Sequence, residues 1–303
     1  MRIDRALVAT LLYGLLALSC SGQCVAADNG KIVIEDNITY GKAGDTELKL
    51  DLARPQGDGP FPAIVFIHGG GWYAGNRQGY RGQIQEAASR GYVAATISYR
   101  LMKFDQAKKE TTTATSIFPA QIHDAKAAIR WIRANARKYH VNPDRIGVTG
   151  GSAGGHLSLL VGLAGPTANL EGDSGNPGQS SRVQAVVNTF GPTEMVGCYE
   201  KSSVAWIFRL FLGGTPGEAP QRYKAASPVT YVGKDSPPVL TLHGDKDALV
   251  PIGQAKVLDE KMKAVGASHT LMVFQGQGHG FSGEYDKKAW DATWEFFARR
   301  LKP

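Results

Sequence analysis

The 303-residue sequence has little of three features that mark other classes of protein. It contains only three cysteines, no run of five or more like charges, and no low-complexity segment among its 37 glycines. The composition therefore argues against disorder, collagen and a coiled coil. The net charge of +7 is dispersed along the chain, which favours a solvated surface, and we expect no nucleic-acid partner.

The sequence also lacks an apolar run of the roughly 20 residues that a membrane-spanning helix needs. The 14-residue apolar segment from Ala6 to Ser19 follows two arginines and precedes small residues at 25–27. This order is typical of a secretory signal peptide, although a buried N-terminal helix is an alternative. We expect residues 1–27 to be a signal peptide and the protein to be exported, periplasmic or extracellular, without a stable membrane span.

The few cysteines leave a second interpretation of the N-terminus. The segment from Leu16 to Cys20 loosely resembles a bacterial lipoprotein signal, in which Cys20 would carry the lipid. Cleavage after residue 27 would instead leave Cys198 as the one cysteine, so that no internal disulfide could form. If Cys20 were the anchor, Cys24 and Cys198 could pair.

Apolar runs of strand length alternate with helical patterns, which favours a mainly parallel sheet covered by helices on both faces. The strand candidates are 31–34, 47–52, 63–67, 92–98, 145–149, 183–189, 239–242 and 270–274, with the first two expected to be antiparallel edge strands. The helix candidates are 83–88, 119–139, 153–163, 251–264 and 287–301, with a turn at 142–144.

Two segments interrupt the alternation, at 103–116 and at about 192–227. We expect both to lie over the carboxyl edge of the sheet, where loops carry function. The second contains an apolar cluster from Trp206 to Phe211 that could cover a pocket. No repeat or linker divides the chain, so residues 28–303 are expected to form a single α/β domain with a short insertion over the site.

The sequence Gly150-Gly-Ser-Ala-Gly154 stands between a strand candidate and a helix candidate, as a nucleophile elbow requires. A serine at such a sharp turn occupies strained backbone, and glycines let strand and helix approach closely around it. A glycine-rich turn with a buried serine is the alternative. The pattern predicts Ser152 as a nucleophile.

A second glycine-rich motif, His68-Gly-Gly-Gly-Trp72, follows the strand candidate 63–67 and would reach the same edge of the sheet. Backbone N–H groups placed there could stabilise an oxyanion by roughly 3 kcal/mol per donor. We expect the oxyanion hole to consist of the amides of Gly70, Gly71 and Ala153.

A serine hydroxyl needs a histidine to take its proton. His279 follows the last strand candidate and therefore also projects from the carboxyl edge. His156 is expected to face inward as a structural group, and His68 and His243 are expected to shape their own loops by hydrogen bonding.

The imidazole in turn needs a carboxylate, and the loop after strand 239–242 offers Asp245 and Asp247. Asp245 stands beside Gly244 at the exit from the strand, where we expect it to cap its own turn. The order serine, aspartate, histidine is that of α/β-hydrolases.

The chain resembles serine esterases of the α/β-hydrolase superfamily, in the hormone-sensitive-lipase-like and bacterial feruloyl-esterase-like branch. The motifs that carry the resemblance lie at 68–72, 98–101, 150–155, 190–193, 243–251 and 278–281, and it covers about residues 45–302. It implies the α/β-hydrolase fold with an eight-stranded sheet, serine-dependent ester hydrolysis without a cofactor or metal, and Asp247 as the orienting acid. The sequence departs from the family in lacking a long N-terminal cap and in carrying Glu194 where many relatives have aspartate.

Several functions remain open at this stage. The fold is shared by prolyl-oligopeptidase-like serine peptidases, although this chain has no room for their propeller domain, and by amidases. A non-catalytic binding protein of the same fold is a further alternative. A metal site at the His68 or His243 motifs would leave the glycines and the serine unexplained.

The expected substrate is a small-molecule or polysaccharide-linked ester with a short or aromatic acyl group, such as acetyl or feruloyl. Candidate substrate-binding residues are Trp72, Glu194 and Phe281, while Tyr99 and the apolar cluster 206–211 could also line the pocket. Ordinary packing is an equal alternative for each of them.

Overall fold

The computed structural model describes residues 32–302, in which eight strands form one sheet. The strands are β1 (Ile32–Ala43), β2 (Thr46–Pro55), β3 (Phe61–Ile67), β4 (Val93–Ile97), β5 (Val141–Gly151), β6 (Ala185–Thr189), β7 (Val239–Gly244) and β8 (His269–Phe274). Their spatial order is β1-β2-β4-β3-β5-β6-β7-β8, and β2 is antiparallel to both of its neighbours while the other pairs are parallel. The predicted eight-stranded, mainly parallel sheet is confirmed, with β1 at the edge and β2 second.

Helices cover both faces of the sheet. Within residues 32–302 they are α1 (Arg81–Ser89), α2 (Ala120–Ala134), α3 (Ala136–Tyr139), α4 (Ala153–Leu163), α5 (Met195–Lys201), α6 (Ala205–Leu212), α7 (Pro220–Ala226), α8 (Gly253–Ala264) and α9 (Glu284–Leu301). Alternate residues of β3 belong to two separate hydrophobic cores. One core contains side chains of α2, α4 and α8, and the other contains side chains of α1 and α9.

Several predicted boundaries differ from the structure; β1, for example, was expected at 31–34 and extends from Ile32 to Ala43. Two of the differences have a local cause. The helix expected over 119–139 is divided at Asn135, whose side-chain amide donates to the carbonyl of Trp131 at 2.9 Å and caps α2. The turn expected at 142–144 belongs to the start of β5, because Val141 already pairs with Phe61. The ladder between β3 and β5 shifts register directly after that pair, so the local irregularity lies inside a strand.

The insertion at 192–227 folds into the three helices α5, α6 and α7, which hydrophobic patterning did not predict. The other interrupting segment closes on itself through a bridge between Lys103 and Thr115. The expected signal peptide, with Cys20 and Cys24, lies outside the described residues. No helix within the described part of the chain is both long and apolar enough to span a membrane.

Candidate active site

Ser152 occupies the sharp turn between the end of β5 and the start of α4. Its backbone has φ 57° and ψ −121°, a strained conformation that confirms the expected elbow geometry. The flanking glycines are required by close approach: a Cβ on Gly154 would lie 1.9 Å from the carbonyl oxygen of Ile67, and one on Gly150 would lie 2.3 Å from the same atom. The helix that follows the serine therefore rests directly on β3.

The structure brings Ser152, His279 and Asp247 together from three loops at the carboxyl edge of the sheet. His279 Nε2 lies 2.8 Å from Ser152 Oγ, and His279 Nδ1 lies 2.7 Å from Asp247 Oδ2. The carboxylate can accept only from Nδ1–H, which leaves Nε2 as the acceptor for the serine proton. This geometry can activate a serine for nucleophilic attack.

Asp247 is held from several sides. Its Oδ1 accepts hydrogen bonds from the amides of Leu249 and Val250 at 2.9 and 2.8 Å, and His243 Nε2 lies 3.5 Å from Oδ2. Burial alone would raise the pKa of Asp247, but the hydrogen bonds from His243, His279 and the Val250 amide outweigh it and hold the pKa below its usual range. The carboxylate therefore stays charged at neutral pH.

Asp245 serves a different loop from the one expected. We predicted that it caps its own turn, but its Oδ1 accepts from the amide of Gly276 at 2.6 Å. The residue that caps its own turn is Asp247, through the amides of Leu249 and Val250. The Asp245 side chain thus links the loop after β7 to the loop that carries His279.

The glycine-rich loop after β3 lies against the elbow. A Cβ on Gly69 would stand 3.4 Å from the Cβ of Ser152. Gly70 and Gly71 have φ values of +107° and +56°, a region that residues with side chains rarely adopt. Among residues 32–302, the amides of Gly70, Gly71 and Ala153 have no hydrogen-bond acceptor, so all three remain available as donors.

Five of the six other histidines have structural partners. His156 is completely buried on α4, as expected. His68 Nδ1 lies 2.7 Å from the Gly69 carbonyl, and His243 Nε2 lies 2.7 Å from the Val250 carbonyl, which confirms that both shape their own loops. His140 and His269 bond to Asp58 and Asp259, away from the elbow.

A cavity of about 860 Å³ opens over Ser152 and His279. Its walls are mostly apolar, and α6 contributes Trp206, Ile207 and Phe208. The expectation that the cluster at 206–211 could cover a pocket is therefore confirmed for this part of the cluster. Trp72 also lines the cavity, but its ring is buried and stacked on Phe211 with ring centroids 4.0 Å apart.

Three of the candidate residues do not line this cavity. Glu194 caps the start of α5, where its carboxylate accepts from the amides of Val196 and Gly197 at 3.0 and 2.7 Å. Phe281 packs against Phe274, with ring centroids 4.4 Å apart, and lines a smaller cavity of about 150 Å³ behind the elbow. Tyr99 is buried beneath the glycine-rich loop, where its hydroxyl donates to the carbonyl of His68 at 3.0 Å.

Several wall residues were not predicted as such from the sequence. They include Tyr73, Phe190, Leu249 and Val250. Tyr73 directly follows the motif 68–72, whereas the other three lie inside the motifs 190–193 and 243–251. Apolar residues within or beside the motifs were therefore the available signal.

Cys198, on α5, is fully buried, and burial raises the pKa of its thiol well above the usual range. Within residues 32–302, no three His, Cys, Asp or Glu side chains are arranged to hold a metal ion.

Residues 50–262 match the family model described as BD-FAE. The chain is 31% identical over 264 residues to Esterase LipC of Mycobacterium tuberculosis, which covers 85% of this chain and 62% of LipC. The chain spans only about half to three fifths of the length of the mycobacterial esterases that it matches.

Two solved structures match over nearly their whole length. A truncated carbohydrate esterase from gut microbiota shares 30% identity and a TM-score of 0.72, covering 88% of this chain and 96% of that one. Esterase Est2 of the Planctomycetes species Thermogutta terrifontis, with propionate bound, shares 29% identity and a TM-score of 0.73 over 88% and 96%. The same enzyme is known phosphorylated by paraoxon. The chain belongs to the BD-FAE family of the α/β-hydrolase superfamily, in the hormone-sensitive-lipase-like and feruloyl-esterase-like branch.

Proposed function

We propose that the protein is a serine carboxylic ester hydrolase that works through an acyl-enzyme, with Ser152, His279 and Asp247 as its catalytic triad. The observation that carries the proposal is the continuous hydrogen-bonded relay, 2.8 Å from serine to histidine and 2.7 Å from histidine to aspartate, at a strained elbow beside free backbone amides. The esterase relatives support the same reaction class.

The geometry defines each step. Ser152 Oγ attacks the ester carbonyl carbon while His279 Nε2 takes its proton, and the carbonyl π electrons move onto oxygen. The amides of Gly70, Gly71 and Ala153 stabilise that oxyanion. When it collapses, the C–O bond to the alcohol breaks and His279 returns the proton to the leaving oxygen. Water then releases the acid by the same route, and Asp247 stabilises the imidazolium in both halves.

The cavity wall supports a short or aromatic acyl group. Trp206 lies with its ring 5.9 Å from that of Tyr73, and both residues line the cavity. Phe104 and the ammonium group of Lys109 pack against the same indole, at 5.9 and 4.6 Å from its ring. A fixed aromatic wall suits a flat or short substituent better than a long flexible chain. The carbohydrate-esterase and propionate-bound relatives favour acetyl or feruloyl esters, free or linked to polysaccharides.

A serine peptidase or amidase is the alternative enzyme class, because the same triad can cleave amides. Hydrolysis rates on p-nitrophenyl acetate and on p-nitroanilide peptides separate the two, and we expect the ester to be strongly preferred. We further propose that the protein is exported, on the basis of the sequence of residues 1–27.

Substitution of the nucleophile tests the proposed function. Ser152→Ala should abolish hydrolysis of p-nitrophenyl acetate and should no longer be labelled by paraoxon, whereas the wild type should take up one phosphoryl group on Ser152. Ser203→Ala is the matched control, because Ser203 is an exposed serine outside the cavity wall. Turnover in Ser152→Ala equal to that of the wild type would contradict the mechanism, and inactivity of the wild type would favour a binding protein.

A further inference from the structure

We propose that His156 is a positioning residue that fixes the glycine-rich loop 68–72 relative to the nucleophile helix, through Trp72. This inference rests on the proposed function, since its measurable consequence is on oxyanion stabilisation. His156 lies one helical turn after Ser152 and is fully buried. It therefore cannot touch substrate, and it acts through its neighbours.

The hydrogen bonds of His156 specify one tautomer. Its Nε2 lies 2.7 Å from the carbonyl oxygen of Ala226, which can only accept, so Nε2 carries the proton. Its Nδ1 is then a bare acceptor, and it receives the indole N–H of Trp72 at 3.2 Å. Both ring nitrogens therefore have a partner: Nε2 donates to the Ala226 carbonyl, and Nδ1 accepts from the Trp72 indole.

The packing around His156 holds it in place. Its ring is edge-on to those of Trp72 and Phe211, at 5.2 and 6.0 Å. Burial lowers the pKa of His156 to about 4, so at neutral pH the imidazole is neutral and Nδ1 remains unprotonated.

Trp72 transmits this restraint to the loop. It directly follows Gly70 and Gly71, and its own backbone has φ +62°, an uncommon conformation for a bulky residue. Its carbonyl accepts from the amide of Met102 at 2.8 Å. With the ring fixed by His156 and the carbonyl fixed by Met102, the two preceding amides have a defined direction.

The insertion at 192–227 also contacts His156 and Trp72. Ala226 is the last residue of α7, and Phe211 of α6 stacks on the Trp72 ring with centroids 4.0 Å apart. One imidazole therefore joins the nucleophile helix, the glycine-rich loop and the insertion. An apolar side chain of similar size would fill the space but would leave the buried indole N–H and the Ala226 carbonyl without partners, which is unfavourable.

Two isosteric substitutions separate the two hydrogen bonds. In His156→Asn, Oδ1 is attached to Cγ like the imidazole Nδ1, so it can still accept from Trp72 but cannot reach Ala226. In His156→Gln, Nε2 can still donate to Ala226, whereas Oε1 is attached to Cδ, one bond further from the backbone than the imidazole Nδ1, and is not placed to accept from Trp72. His156→Leu removes both hydrogen bonds, and Trp72→Phe removes the indole donor while leaving His156 and the aromatic ring.

We expect kcat for p-nitrophenyl acetate to fall about 10- to 100-fold in His156→Leu, His156→Gln and Trp72→Phe, with KM changed less than about threefold. The inhibition constant of trifluoroacetone, whose adduct with Ser152 places an oxyanion in the same site, should rise by the same factor. His156→Asn should stay within about threefold of wild type in both quantities. A purely structural role would instead lower the melting temperature of all four variants without this kcat and inhibitor pattern.

The outcome that overturns the proposal is a Trp72→Phe variant with kcat and trifluoroacetone inhibition within twofold of wild type. An inactive His156→Asn beside an active His156→Gln would also overturn it, in favour of anchoring the insertion. If His156→Leu fails to fold, Trp72→Phe decides alone. Failure of the proposed function is distinguishable, because the wild type itself would then be inactive and unlabelled by paraoxon.

Discussion

Asp245 and Asp247 stand two residues apart after β7, and both hold the loop that follows β8, but at different atoms. Asp247 Oδ2 binds the imidazole of His279 at 2.7 Å, whereas Asp245 Oδ1 binds the backbone amide of Gly276 at 2.6 Å. The first contact orients a side chain that reacts, and the second fixes the backbone that carries it.

These two roles predict different effects when each aspartate is replaced by asparagine. Asp247→Asn cannot stabilise the imidazolium and favours the wrong tautomer, so kcat should fall on the order of 10⁴-fold near neutral pH while the fold is retained. Asp245→Asn should lower the free energy of unfolding by about 1–2 kcal/mol and retain substantial activity. Ester hydrolysis and urea denaturation of both variants check this. Exchanged phenotypes would mean that Asp245 is the orienting acid.

Gly154 gives a steric prediction with a matched control. A Cβ there would lie 1.9 Å from the backbone oxygen of Ile67, which cannot move aside cheaply, so Gly154→Ala should lower stability by roughly 2 kcal/mol or more and reduce activity. Gly82, also in a helix, has nothing within 4 Å of its Cβ position. Gly82→Ala should be neutral or stabilising by up to about 1 kcal/mol. Equal thermal denaturation curves for the two variants would contradict this close contact.

The cavity wall predicts acyl-chain selectivity. Rates on p-nitrophenyl esters should be highest for acetyl, butyryl and aromatic acyl groups and should not increase at an oil interface. Trp206→Ala should raise the relative rate on longer chains, because it removes part of the wall. Tyr285→Ala removes an exposed aromatic side chain outside that wall and should change nothing. A wild-type rate that increases steadily beyond about ten carbons would refute the expectation.

The buried imidazole predicts a pH dependence of stability. The pKa of His156 is about 4 in the folded protein and 6.5 in an ordinary environment, so the unfolded chain binds this proton more readily. Its contribution is fully present above pH 6.5 and is lost as pH falls toward 4, by roughly 3 kcal/mol in all. Urea denaturation between pH 7 and pH 4 should show a steeper decline for wild type than for His156→Asn. Parallel curves would show that His156 protonates normally in the folded state.

The export proposal is checked on the mature protein. Expression in a bacterial host should give a chain that begins at Asp28, as determined by intact mass and N-terminal sequencing. A chain that begins at a lipid-modified Cys20 would support the lipoprotein interpretation instead. Retention of residues 1–27 on a protein recovered from the cytoplasm would refute both.

The sequence was most informative where a chemical group directly follows a strand. Ser152, Asp247 and His279 lie just after β5, β7 and β8, and parallel strands end at a common edge, so alternation of elements together with motif order was sufficient to bring them together. The choice between Asp245 and Asp247 still needed the family resemblance. The local reasoning about turns was wrong, because the amide that Asp245 binds is 31 residues away.

Other contacts could not be predicted from local sequence patterns. His156 meets Trp72 across 84 residues and Ala226 across 70, and no local sequence pattern links either partner to it. Glu194 was named as a pocket candidate, and its role as the cap of α5 was not predicted because α5 itself was not. Short helices in insertions are stabilised mainly by tertiary packing, so their sequences carry little periodicity.

One part of the apolar wall is separate in the chain from the reactive groups. Trp206, Ile207 and Phe208 all come from α6, an eight-residue helix, while the triad comes from loops at the sheet edge. Substitutions in α6 are therefore expected to change acyl selectivity while leaving the triad unaltered. Replacing α6 with the corresponding helix of a relative that prefers another acyl group is therefore the smallest exchange that should transfer this preference.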